Sequence, residues 1–577
     1  MHTASVAQAS RTIRFCLTTL AVMTTTGCYS GLTDFEHNPF GDPGADDPAS
    51  SADGADDGAG DDQGQLGNED PGRVTMRRLS NVEYDNTIRD LFYGLPVSPS
   101  AEFPADEVSL GFDNIADVLS VTPVLFELYD RAAEQTIAQA LATAGEGSVR
   151  EQLLTCEPTP GSEATCADEI LRAFARRAWR RPVTDDEVDM LVGVVTDGLA
   201  AGNDFEVSLG LGLRTVLVSP WFLFRIELDP DPSSLEVHEL TDHELATRLS
   251  YLVWSTMPDE ELTDMADAGM LHEPDALATQ VRRMLEDPRA EGLVDNFAGQ
   301  WLYLRILDQP LAKDLAQFPD FDMDLQAAMK TEAEMFFRTF ITEGRSLKEL
   351  LTAKETFVDA RLAEHYGIAI PEGEGFQRVS LEGLPRRGLL TQPGILSVLS
   401  HASVTSPVKR GKWVLEQLLC IHPPPPPPGV EIPPLEPTEG STVRDQLEQH
   451  RADPQCAACH NLMDPIGLGL EHYDATGRYR ELDNGQPVDA SGTLPTGEEF
   501  TDALDMVEHL SRSEEFAECT VRKTLTYALG REPGKPDQPY IDEIVADLEA
   551  ADMTLEGLLV AVVTSDVFRK RRGEEQG

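Results

Sequence analysis

Leu240-Thr241-Asp242-His243-Glu244, followed by Leu245, Leu249, Tyr251 and Leu252, is the stretch from which the fold class is read. Thr241 is an N-cap residue and Glu244 stands three positions on, the pairing in which each side chain satisfies a main-chain N–H at a helix start. The apolar residues behind it recur at helical spacing rather than the alternation of a strand. The same start recurs at Ser80 with Glu83, where Val82, Ile88, Leu91 and Phe92 share one side, and at Thr184-Asp185-Asp186-Glu187 after Pro182. Further outward, helical faces run through Ile170 to Trp179, through Leu211 to Phe224 with a break at Pro220, and through 274–286, 288–304 and 323–343. Ser441 to His450 is a helical approach to a cysteine motif, and 503–570 holds three more helical segments. Alternating strands are scarce. The expected fold is mostly α, with several packed helical domains after a signal peptide and a disordered acidic tether.

A chain of 577 residues, 41% of them hydrophobic, is too long for one core and long enough for several. Lys and Arg number 46 against 101 Asp and Glu, a formal net charge of −55. Such a surface repels phosphate backbones and anionic headgroups, so no nucleic-acid partner is expected; a cationic redox partner, or plain solubility, fits better. At the N-terminus, Arg11 and Arg14 precede a short apolar run, Phe15 to Met23, and Thr25-Thr26-Gly27-Cys28 ends in the small residue and cysteine of a lipobox. Thr25 stands where a leucine is commonest. These features predict a lipoprotein signal peptide over 1–27 and lipidation at Cys28, the alternative being ordinary signal-peptidase cleavage. The acyl chains would anchor the protein to a membrane in the cell envelope. Tyr29 supplies no inner-membrane retention signal, which favours the outer membrane, periplasmic or surface facing. Residues 31–72 lack Lys and Arg and are rich in Asp, Gly, Pro, Ser and Ala, so 28–72 reads as the lipidated cysteine and a disordered tether.

Eight cysteines divide informatively. Cys16 and Cys28 belong to the signal. Cys156 and Cys166 bracket a Pro/Gly-rich loop and read as a local disulfide. Cys456 and Cys459 fall in Cys456-Ala457-Ala458-Cys459-His460, which leaves Cys420 and Cys519 as a candidate long-range bridge. The Cys-x-x-Cys-His motif has a mechanical logic. Two thiols three residues apart project from one side of a helical turn and can add across the two haem vinyl groups, and the adjacent histidine then gives a ring nitrogen to the iron. The expected cofactor is therefore one covalent haem c on Cys456 and Cys459, with His460 the proximal iron ligand. A Cys456–Cys459 disulfide, or zinc held by Cys456, Cys459, His460 and a fourth ligand such as His450, stand as alternatives. The sixth iron ligand is open among Met506, His472, His509 and His450, and Arg478 and Arg480 are candidate partners for haem propionates. The six prolines Pro423 to Pro428 read as a stiff polyproline spacer. Asp320, Asp322 and Asp324 read as a helix start rather than a calcium loop, and no hydrolytic or nucleotide-binding motif is found.

Several segments together resemble a bacterial family. They are Arg77 to Thr87, Phe174 to Pro182, Leu249 to Trp254, Thr405 to Gly411, Cys456 to Gly467 with Leu470-Glu471 and Asp474 to Arg478, and Tyr527 to Arg531. In this order they are similar to large exported proteins made of five consecutive domains of unknown function with an embedded cytochrome-c-like segment. The resemblance implies helical domains at 73–135, 150–230 (with the local disulfide), 237–366, 376–500 (with the polyproline linker and the haem motif) and 501–572. Three functions follow as expectations. The first is an envelope-anchored c-type haem lipoprotein that passes electrons to or from an extracytoplasmic redox partner. The second is a haem-dependent oxidase or peroxidase acting on an extracellular polymer. The third is a haem-free structural or binding lipoprotein with a Cys-x-x-Cys disulfide.

Overall fold

The computed structural model describes residues 71–72, 76–231, 234–424, 440–452 and 454–573. The expected signal peptide, Cys28, nearly all of the tether and the last four of the six prolines lie outside the described residues. Among those residues there are 23 α-helices and ten short strands that pair only two by two, so the fold is mostly α. The elements that position the site are α1 (Asn81–Leu91), α2 (Asp242–Val253), α3 (Met323–Thr342), α4 (Pro407–Leu418), α5 (Val443–Arg451), α6 (Pro454–Leu468), α7 (Ala503–Leu510) and α8 (Glu514–Leu529). The capping boxes at Ser80/Glu83, Thr184/Glu187 and Thr241/Glu244 are all formed. Asp322 caps α3, as its reading as a helix start requires.

Four local expectations are corrected. Residues 288–304 are not one α-helix but a 3-10 turn, a π-helical stretch over Leu293–Ala298 and a single α turn. The cause is close approach: a Cβ on Gly292 would stand 2.9 Å from the Trp254 carbonyl, so the segment bends to admit the neighbouring backbone. The region 503–570 holds five α-helices rather than three; left-handed residues mark two of the breaks, at Gly530 (φ 66°) and at Asp552 and Met553. The approach helix stops at Arg451, and α6 starts afresh at Pro454, in place of one continuous run. The last two residues of the tether are pinned: Arg531 donates to the Pro71 carbonyl at 2.8 Å, and Arg572 N–H donates to that of Gly72 at 2.9 Å.

Two large apolar clusters form the interior. One runs from Leu79 to Met257, the other from Phe112 to Phe568, so residues far apart in sequence share each core. The strand Arg77–Arg78 pairs antiparallel with Phe224–Arg225, and Val237–Glu239 pairs with Lys570–Arg572, which returns the end of the chain to the start of the central region. Two disulfides are present, Cys156–Cys166 and Cys420–Cys519, with Cα atoms 5.8 and 5.1 Å apart.

Buried arginines lock these junctions. Arg77 donates to the carbonyls of Tyr527 (3.3 Å) and Ala528 (3.1 Å) on α8. Arg180, itself left-handed at φ 58°, donates to those of Trp221, Phe222 and Phe224 and to the Tyr251 hydroxyl of α2. The Tyr251 hydroxyl also meets Thr87 of α1 at 2.8 Å. The segments quoted for the family resemblance are thus largely the ones that touch one another.

Glu332 of α3 is fully buried and accepts from Thr356 Oγ1 at 2.5 Å and from the Tyr366 hydroxyl, while its Oε2 has no hydrogen-bond partner. Burial pushes its pKa up to about 7, against two hydrogen bonds that pull it down. The folded value lies above the unfolded one, so folding favours the protonated acid. Its contribution to stability is complete below the ordinary carboxyl range and is lost as pH rises through about 7. We expect unfolding free energy to fall by roughly 3 kcal/mol across that window, and Glu332→Gln to flatten the decline. Urea denaturation between pH 4.5 and 8 checks this; an unchanged pH slope in the variant would refute it.

Candidate functional site

The site is carried by α6, and what fixes α6 is its crossing with α4. A Cβ on Gly411 of α4 would lie 1.8 Å from the Met463 carbonyl oxygen, and one on Gly467 of α6 would lie 1.8 Å from that of Pro407. The two backbones are therefore in direct contact, which only glycine permits. Gly492 abuts the Pro465 carbonyl in the same way. Beyond the C-terminal end of α6, the fully buried Arg410 guanidinium donates to the carbonyls of Leu470 (2.7 Å), Tyr473 (2.9 Å) and Asp474 (2.9 Å) and to Glu471 Oε1 (3.3 Å). Burial lowers the Arg410 pKa to about 10, still far above neutrality, so the residue remains a cation. Glu471 also accepts from Thr405 and Arg480, each at 2.7 Å, while burial raises its pKa. The Thr405–Gly411 motif and the Leu470–Asp474 motif are two halves of this one buried network.

On the helix so fixed, Cys456 and Cys459 are half-buried free thiols. Cys459 Sγ lies 3.2 Å from the Pro424 carbonyl, at the start of the proline run. His460 Nδ1 donates to Asp464 Oδ1 at 3.0 Å, a pair one helical turn apart on α6. That bond places a proton on Nδ1 and turns Nε2 away from Asp464. Helix α5, started by the Thr442/Asp445 capping box, brings two consecutive residues to this pair. His450 meets the His460 ring edge to face, centroids 4.7 Å apart, and Arg451 Nε lies 3.7 Å from Asp464 Oδ2.

Of the four residues expected as alternatives for the sixth ligand, His450 alone stands beside His460. Met506 of α7 is fully buried, with its sulfur beside the place where a side chain on Gly469 would stand. His472 is bonded through Nδ1 to the Arg480 carbonyl (2.9 Å) and stacks on Tyr479, ring centroids 5.4 Å apart. His509 pairs with Asp505 on its own helix at 3.5 Å. Arg480 is committed to Glu471 and Asp483, and Arg478 to His365 Nδ1 (3.1 Å) and Asp320 (3.3 Å), so the two propionate candidates are already engaged. His365, bonded to the Thr476 carbonyl at 2.8 Å, has its pKa lowered to about 4 by burial and stays neutral. Among the described residues no three His, Cys, Asp or Glu side chains converge as a metal cage. Asp464 and Arg451 are the residues that sequence reading missed. The signal for Asp464 is its position four residues after His460 on a helix; nothing in the sequence marks Arg451.

Five families match consecutive parts of the chain, each described as a protein of unknown function: DUF1587 over residues 77–142, DUF1595 over 166–227, DUF1592 over 240–368, DUF1588 over 386–483 and DUF1585 over 496–568. The DUF1588 match spans α4, α5 and α6 with the whole cysteine motif. No curated protein and no solved structure matches the chain. Among the described residues no helix is long and apolar enough to cross a membrane.

The contact between α4 and α6 yields a direct test. Gly411→Ala or Gly467→Ala forces the helices apart and is expected to cost about 3 kcal/mol, the upper part of the usual range for overpacking. Gly193→Ala, on a helix where a Cβ meets nothing within 4 Å, is expected to be neutral or stabilising. Denaturant unfolding of the three variants distinguishes them; equal stabilities would refute the contact.

Proposed function

Since this chain belongs to the proteins that string these five domains of unknown function together, we propose that it is an envelope-anchored c-type haem lipoprotein that exchanges electrons with an extracytoplasmic partner. The observation that carries the reading is the state of the motif. Four of the six cysteines after the expected signal pair with each other, and Cys456 and Cys459 remain free beside a histidine whose tautomer is already set. These residues fit a covalent haem: the two thiols would hold it through thioethers, and His460 Nε2 would face the iron. When bound, the group supplies one-electron transfer.

The chain's own residues do the rest. The contact of α4 with α6 holds the thiols and His460 on a rigid support, as a site of low reorganisation requires. His450, on the separate helix α5, is the other imidazole near His460 that could hold the iron. Two imidazoles on one iron favour electron transfer over ligand chemistry, which is what ranks this reading above an oxidase or peroxidase acting on an extracellular polymer. The membrane attachment in this proposal rests on the lipobox at Cys28. The acidic charge of −55 suits a cationic redox partner, whose encounter would weaken as salt rises.

The test is a haem-stained denaturing gel with a pyridine haemochrome spectrum, on protein expressed with cytochrome c maturation machinery. The wild type is expected to keep its colour through denaturation, and Cys456→Ala/Cys459→Ala to lose it. A colourless wild type beside a stained control cytochrome would sink the proposal in favour of a haem-free lipoprotein. On loaded protein, the ferric electron paramagnetic resonance spectrum is expected to be low-spin and to become high-spin in His450→Ala. A high-spin wild type would instead mark the oxidase or peroxidase reading.

A further inference from the structure

Asp464 is a fully buried carboxylate, and burying a charge costs several kcal/mol unless its partners offset the lost water. Its partners are few and specific. Oδ1 accepts from His460 Nδ1 at 3.0 Å; Oδ2 has no hydrogen-bond partner, and the nearest cation is Arg451 Nε at 3.7 Å. The carboxylate aims one oxygen at a single imidazole and leaves the other without a hydrogen bond. The helix that holds both groups is the one clamped at Gly411 and Gly467, so their separation is fixed before anything binds.

We propose that Asp464 is a positioning residue for the iron, an inference that rests on the haem reading above. It holds His460 in the tautomer that presents Nε2, and its negative charge, passed through the Nδ1–H bond, makes that nitrogen a stronger donor. A stronger donor stabilises ferric iron relative to ferrous iron and lowers the reduction potential. Arg451 moderates the effect by standing on the far side of the same carboxylate. The site thereby works at a lower potential than it would without the Asp464 charge.

The decisive variant is Asp464→Asn, which keeps an acceptor for the Nδ1–H and removes the charge; Asp464→Ala removes both. Haem content is read by pyridine haemochrome, and midpoint potential by spectroelectrochemical titration of the full chain. With haem content equal to wild type, the potential in Asp464→Asn is expected to rise by about 59 mV, the one-electron equivalent of a tenfold change in equilibrium and the lower end of second-shell effects. A carboxylate with only a structural role would lower the unfolding midpoint and leave the potential where it was, and that result overturns the proposal. If the variants fail to fold, the wild type still decides. The hyperfine-shifted His460 Nδ1 proton of the ferric protein is expected to exchange slowly with deuterium, and exchange as fast as that of an exposed imidazole overturns the inference. A colourless wild type overturns the haem reading itself, and is recognised before any Asp464 variant is made.

Discussion

A guanidinium taken out of water must hand its N–H groups to acceptors, and for four buried arginines of this protein those acceptors are mainly main-chain carbonyls, most of them on other segments. Arg77 reaches Tyr527 and Ala528, Arg180 reaches Trp221, Phe222 and Phe224, the buried Arg386 reaches Thr391 and Gly477, and Arg410 reaches Leu470, Tyr473 and Asp474. Carbonyls carry no side-chain identity, so each arginine reads the path of a backbone rather than a particular residue. That makes the forks strict about geometry and indifferent to most substitutions in the segments they grip. The mostly helical pieces pack as one body because these forks fix how each enters the next.

The site inherits its precision from two of these constraints. Arg410 sets the turn that follows α6, and the glycine contacts set the helix itself, so the residues from Cys456 to Asp464 have little freedom left. Helix α5 then contributes in a different manner. It begins at its own capping box and brings His450 and Arg451 to α6 from one side, each facing one member of the His460–Asp464 pair. Two adjacent residues on one helix thus meet two residues spaced by four on another, a match of local geometry that neither helix displays alone.

Much of this was legible in the chain before folding. Capping boxes are local and self-contained, which is why Ser80, Thr184 and Thr241 start helices where the pattern places them. The two disulfides were found by elimination, since loop composition marks Cys156 and Cys166 and a motif reserves Cys456 and Cys459. What escaped was relational. Met506, His472, His509 and His450 are equivalent candidates by sequence, because distance along a chain says nothing about which face of a helix meets which neighbour. The break in 288–304 depends on the Trp254 backbone lying against Gly292, and the pinning of Pro71 and Gly72 depends on Arg531 and Arg572, hundreds of residues away. Asp464 shows its spacing from His460 in the sequence, but its burial and its contact with Arg451 appear only in the fold.

The bridge between Cys420 and Cys519 closes a ring around α5, α6 and the whole cysteine motif. Tension applied to the two ends of the chain would pass through that sulfur–sulfur bond, and the enclosed stretch would carry none of it. A protease that cut once between the two cysteines would leave a single covalent molecule. The stretch that carries the cysteine motif thus lies off the covalent load path, and a single cut within it does not part the chain.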